Sequence, residues 1–190
     1  MMMSLIVAIG AQNTFLLRQA ILRSHIAVLV LLCWLSDVIL VAAGVSGLGA
    51  IVDRAPAALT VIKILGAAVL LGYAALAARR AIVGEHLEID ESGVRRPLAS
   101  VIGTCLAITW LNPHVYLDTV LMVGGVANSH GDLRWWFAAG SMAASLVWFV
   151  ALGFGAGLLR PVFRTPRAWR ILDSIIALIM IATAARLLLT

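Results

Sequence analysis

Apolar residues dominate this chain in long unbroken stretches, and the polar positions fall between the stretches rather than alternating within them. Six stretches stand out, at residues 1–17, 26–52, 57–78, 98–127, 135–159 and 168–189. A helix needs roughly 20 apolar residues to cross the hydrocarbon core of a bilayer, and each stretch comes close to that length. Membrane-spanning strands would alternate apolar and polar positions, so the pattern predicts an all-α integral membrane protein with six transmembrane helices. The first stretch is the shortest; at 1.5 Å per residue it makes roughly 25 Å. It lacks the basic leader of a signal peptide and is read as a span. The longest polar connection, residues 79–97, carries four acids and four arginines and is expected to be a solvated surface loop.

One stretch interrupts its own pattern. Residues 110–125 read WLNPHVYLDTVLMVGG, with Asn112, Pro113, His114 and Asp118 between apolar ends. Pro113 removes a backbone donor and clashes with the preceding turn. Lipid cannot satisfy the groups such a break sets free, so it is tolerated only against protein or a watery cavity. Asn112 is placed to cap the helix that restarts after the break. That helix start carries partial positive charge, which suits a carboxylate ligand. Gly10, followed by Gln12 and Asn13, is expected to loosen the first stretch in the same way.

Composition sharpens this picture. Of 190 residues, 63% are hydrophobic and only 12% charged, about half the charged fraction of a soluble domain. One transmembrane domain, residues 1–190, accounts for the length. Cys33 and Cys105 lie inside apolar runs, which implies neither a disulfide framework nor a CxxC metal site. The net charge of +5 comes from arginines at the ends of apolar stretches, the mark of membrane flanks rather than of nucleic-acid binding. Ten of these arginines fall between stretches one and two, three and four, or five and six; only Arg54, Arg134 and Arg186 fall on the other side. The positive-inside rule then puts both termini outside the cytoplasm of a multi-pass protein of the cell membrane. Trp135, Trp136 and Trp169 sit at stretch ends and read as an interfacial belt. Gly44, Gly47, Gly49, Gly153, Gly155 and Gly157 read as close helix packing.

The halves of the chain resemble each other. SDVILVAAG (36–44) and SLVWFVALG (145–153) share residues at five of nine places, and Pro56 and Pro166 follow at nearly the same interval. Asn13 of GAQN matches Asn112 of WLNP, and Lys63 falls opposite Asp173. Repeat one covers about residues 1–80, a loop 81–97, and repeat two about 98–190. With three spans each, the halves insert upside down relative to one another, the inverted repeat of many secondary transporters. Such a repeat places a substrate site near the midplane, where the interrupted helices, the first and the fourth, meet.

Two acids fall inside apolar stretches, Asp37 and Asp118. A central Asp costs about 2.5–3.5 kcal/mol on insertion scales, so neither is expected to face lipid. Two carboxylates beside a cavity suit a cationic substrate, a metal ion or protons; pairing with Lys63 or an arginine as packing is the structural alternative. Lys63 and Asp173, nearer helix ends, are expected to pair structurally or to snorkel. His114 and Asp118 share a helical face and make half of a metal site. Tyr116 is a candidate cap to the site. No nucleophile–base pair and no nucleotide loop is present in the sequence, so neither an enzyme nor a cofactor is expected.

GAQN, SDVIL, TWLNPHVYLDT (109–119), the RW.FA.G pattern with its following AS..WF at 134–149, and WRILD together resemble the LysE family of amino acid exporters, over nearly the whole chain. NPHVYLDT is similar above all to the arginine-exporter branch, then to the lysine exporters. The chain departs from many relatives in having Ala11 where they have Pro, and in starting later. The resemblance implies export of L-arginine or L-lysine, driven by the proton motive force. Gln12, Asn13, Asp37, Asn112, His114, Tyr116 and Asp118 are the expected substrate-binding residues, with Gly10 and Pro113 as helix breaks. The expected partners are the substrate, protons as coupling ion, the lipid bilayer and a second copy in a homo-oligomer. A divalent-metal exporter using Asp37, His114 and Asp118 is the alternative.

Overall fold

The computed structural model describes residues 10–47, 56–83, 97–112, 115–159 and 161–189, and every regular element among them is helical. Gly10 is extended (φ −93°, ψ −179°), and its carbonyl accepts from both the N–H and the hydroxyl of Thr14 at 3.0 and 2.7 Å. Helix α1 therefore starts at Ala11 and runs to Ile21. Two non-glycine residues in the left-handed region, Arg23 (φ 53°) and His25 (φ 51°), turn the chain into α2, Ile26–Val45. Helices α3 (Pro56–Val83) and α4 (Leu98–Trp110) follow. Past the break comes a π-helical segment, Tyr116–Val123, which runs straight into α5, Gly124–Asn128. A 3₁₀ turn at Gly131–Leu133 leads to α6, Arg134–Gly155. Two more 3₁₀ turns, Ala156–Leu159 and Val162–Arg164, lead to α7, Pro166–Leu189.

Among the described residues, four segments are long and apolar enough to cross a bilayer: Ile26–Val45, Thr60–Val83, Gly131–Leu159 and Pro166–Leu189. Helix α4 is a shorter apolar helix. Their outer faces are greasy, with Leu31, Ile39, Ile64, Val147, Ile171 and Leu178 all exposed. The interior holds Thr14, Arg18, Gln19, Ser36, Ser145 and Asp173. In water this distribution would be ruinous; in lipid, apolar side chains face the solvent and polar groups must find partners inside.

Helix α1 lies at the centre. It packs against α2, α4, α6, α7 and the Ala156–Leu159 turn, and Leu16, Ala20 and Ile21 keep no exposed surface. Helices α3 and α7 form one extensive pair, and α2 and α6 another. Helix α2 also lies along the π segment, where glycine permits close approach: a Cβ on Gly44 would stand 2.5 Å from the Val120 carbonyl oxygen, and one on Gly124 would stand 2.7 Å from the Gly44 backbone. Small residues at such crossings let backbones meet and gain dispersion contact. Gly153 abuts Val30 in the same way, whereas Gly47, Gly155 and Gly157 face open space and serve no such contact. Gly49 lies outside the described residues.

Several expectations need correction. Helix α3 continues to Val83, so Arg79 and Arg80 belong to it rather than to a solvated loop, and Arg80 is buried. Arg18 is buried as well, not a flanking charge in the headgroups. Asp173 does not answer to Lys63: its Oδ1 accepts from Nε of Arg18 at 3.0 Å and Nε of Arg80 at 3.2 Å. Trp135 and Trp136 are exposed as belt residues should be, but Trp169 is buried, with the Arg18 guanidinium 5.9 Å from its ring centre. The reason is common to all four. A side chain near a helix end reaches the interface only if its face of the helix points outward, and these faces point into the bundle.

Candidate functional site

The interruption in the fourth stretch is real. Helix α4 ends at Trp110, Leu111 leaves helical geometry, and helical structure resumes at Val115, whose N–H donates to the Asn112 carbonyl at 3.1 Å. The carbonyls set free by the break are taken up by protein. Tyr116 Oη donates to the Trp110 carbonyl at 2.8 Å. The Leu111 carbonyl presses on α3 at Gly66, where a Cβ would stand 1.7 Å from its oxygen. Asn112 itself is buried.

Helix α2 runs parallel to the broken strand of chain. Ser36 meets Trp110, whose Nε1 donates to the Ser36 hydroxyl at 3.1 Å, and Gly44 meets Val120 and Gly124 further on. Asn128 Nδ2 closes the far end on the Gly44 carbonyl at 3.3 Å. Asp37, next to Ser36, therefore lies level with the break. Its Oδ2 accepts from the Ser145 hydroxyl of α6. One turn along α6, Trp148 Nε1 donates to Asn13 Oδ1 of α1 at 3.4 Å. Four helices and the break thus bring polar groups to one level: Gln12 and Asn13 from α1, Ser36 and Asp37 from α2, Thr109 and Trp110 from α4, Asn112 from the break, and Ser145 and Trp148 from α6. Just beneath, Cys33 and Cys105 touch sulfur to sulfur at 3.6 Å, both free thiols. Among the described residues, the buried Gln12 Nε2 and Thr109 Oγ1 have no hydrogen-bond partner.

Of the expected site residues, Gln12, Asn13, Asp37, Asn112 and Tyr116 gather around the break. Gly10 stands at the start of α1, where the helix begins. Asp118 sits on the π segment one and a half turns past the break and is exposed on the chain's surface. Pro113 and His114 lie outside the described residues. Ser145, Trp148, Ser36, Trp110 and Thr109 were not foreseen. A signal for two of them was present, because Ser36 and Ser145 are the matched serines of the internal repeat.

The LysE type translocator pattern matches residues 3–190. The chain belongs to the LysE family. A Mycobacterium tuberculosis protein provisionally named an amino-acid transporter is 52% identical over 189 residues, covering 100% of this chain and 94% of its own length. The lysine exporter LysE of Corynebacterium diphtheriae is 38% identical over 216 residues, covering 98% of this chain and 95% of its own. The arginine exporter ArgO of Serratia proteamaculans is 36% identical over 185 residues, covering 97% and 90%. No solved structure matches the chain. As a LysE family member with several apolar helices, the chain is a multi-pass membrane transporter and not an enzyme.

Proposed function

We propose that this LysE family member exports basic L-amino acids, arginine before lysine, from the cytoplasm across the cell membrane, driven by the proton motive force. The observation that carries the reading is the carboxylate of Asp37, held by Ser145 inside the bundle at the level of a broken helix. A carboxylate there attracts a cationic side chain, and the restarting helix at Asn112 attracts an α-carboxylate. Full-length relatives named as lysine and arginine exporters support the substrate class.

In this reading the chain crosses the membrane six times, as two inverted three-helix repeats with both termini outside. The pairing of α2 with α6 and of α3 with α7, corresponding helices of the two halves, supports the repeat. The unpartnered Gln12 Nε2 and Thr109 Oγ1 are donors for a carboxylate, with Asn13 and Asn112 beside them. Asp37 takes the cationic end, aided by Asp118, and Tyr116 and His114 flank the ligand. A proton arriving at an acid from outside weakens its hold and releases the substrate. Rocking of one repeat against the other, hinged where Gly10 and Pro113 interrupt the helices, alternates access. Among the described residues, which leave out His114, no group of three His, Cys, Asp or Glu side chains is placed to hold a metal ion.

Proteoliposomes loaded with labelled arginine, lysine, leucine or a divalent cation test this. Imposing a proton gradient should release arginine and lysine and leave leucine and the metal inside. Release of the metal without arginine would overturn the proposal.

A further inference from the structure

A second polar cluster lies away from the break and takes no part in that reading. Arg18 of α1, Arg80 of α3 and Asp173 of α7 meet in the interior, none more than 7% exposed. Both arginines spend their Nε on the same oxygen, Asp173 Oδ1. Among the described residues, two guanidiniums against one carboxylate leave a surplus positive charge in a buried place. Leaving a buried charge uncompensated is expensive. Moreover, Arg18 Nη1 and Arg80 Nη2 are buried and have no hydrogen-bond partner among the described residues. Aromatic faces fix the arginines without satisfying these donors: Trp169 lies 5.9 Å from the Arg18 guanidinium carbon, and Tyr73 lies 5.7 Å from that of Arg80.

The missing chemistry is therefore an acceptor that carries negative charge. A cation is excluded by sign, and a neutral acceptor would leave the surplus charge standing. Guanidinium forks match the paired oxygens of carboxylate and phosphate alike. We propose that Arg18 and Arg80 form an oxyanion-binding site for a carboxylate or phosphate group, in which Asp173 is the resident competitor. An amino acid's α-carboxylate is one source of the group, and this choice rests on the export reading. A lipid phosphate is the other, and it does not.

The test uses the purified full chain in phosphatidylcholine nanodiscs and reads the thermal unfolding midpoint against added acetate, inorganic phosphate, L-arginine or L-argininamide, and in discs containing phosphatidylglycerol. Arginine protecting at a concentration at least about tenfold below its amide assigns the site to the amino acid carboxylate. Protection by phosphatidylglycerol, with arginine and amide alike, assigns it to lipid phosphate. In either case Arg80→Gln should weaken the response at least about tenfold. Asp173→Asn, which removes the competitor, should strengthen it, and this opposite sign decides the matter if Arg80→Gln does not fold. No response to any oxyanion, or the same response in wild type and both variants, would overturn the site. Arginine export measured in parallel keeps the two readings apart, since export without any oxyanion response sinks the site alone.

Discussion

A carboxylate inside a membrane protein is expensive unless something holds it, and Asp37 is held by a serine from a neighbouring helix. Replacing it with Asn keeps the volume and the hydrogen bond but removes the charge that would attract a cation. Asp37→Asn should cut arginine efflux at least about tenfold at unchanged membrane abundance. Asp118→Asn should cut it less, because Asp118 is exposed where Asp37 is partly buried. Ser145→Ala removes a hydrogen bond to a charged group, worth roughly 1.5–3 kcal/mol, and should fall between the two. Parent-like rates in labelled-arginine efflux for all three would mean that Asp37 serves packing alone. At this scale the sequence marks where the unusual charges fall better than what surrounds them. An Asp in the middle of an apolar run stands out, yet its role stays open between ligand and packing; Asp118 is exposed, Asp173 pairs with two arginines rather than with Lys63, and Arg18 and Arg80 at the ends of apolar runs look like ordinary membrane flanks. Which way a helix end faces is a tertiary fact, and it alone separates a snorkelling arginine from a buried one.

The interrupted helix was legible, since Pro113 inside an apolar run leaves few alternatives. What the pattern did not convey is how the freed carbonyls are absorbed: one by the Tyr116 hydroxyl, the other against Gly66. Both contacts join residues whose distance in sequence or side-chain direction carries no periodic signature. They yield two checks. Gly66→Ala puts a methyl 1.7 Å from a backbone oxygen that cannot step aside, so the break must shift. The cost should exceed the roughly 1–3 kcal/mol usual for overpacking. Gly72→Ala, six residues on and facing open space, should be neutral or stabilising by up to about 1 kcal/mol. Size-exclusion profiles and melting of the detergent-purified variants compare the pair directly; equal behaviour would show that the contact at Gly66 is not formed. Tyr116→Phe removes the donor to a part-buried carbonyl and should cost about 0.5–1.5 kcal/mol, seen as a lowered melting midpoint.

For the molecule as a whole, the unbroken apolar runs announced a helical membrane protein, and the described helices agree. Of the expected spans, the fourth is not one long continuous helix, because α4 stops at Trp110 and helical structure resumes at Val115; of the first, the described part is α1, Ala11–Ile21. The arginine asymmetry makes a topological prediction that single cysteines can test in a background lacking Cys33 and Cys105. Ser92→Cys should be shielded from an impermeant thiol reagent in intact cells, and Ser129→Cys should react; the opposite pattern would invert the topology. Those two native cysteines have a use of their own. Cys33 belongs to the first half of the chain and Cys105 to the second, and their sulfurs already touch at 3.6 Å, while a disulfide needs about 2.05 Å. Under the proposed rocking of the two repeats, they amount to a gauge planted on the seam between them. A mild oxidant that takes two electrons and two protons from the pair should weld the seam, and a reductant should free it. If transport stops with the weld and returns with the thiols, the seam slides during every cycle; if transport continues, the seam is the axle about which the rest turns.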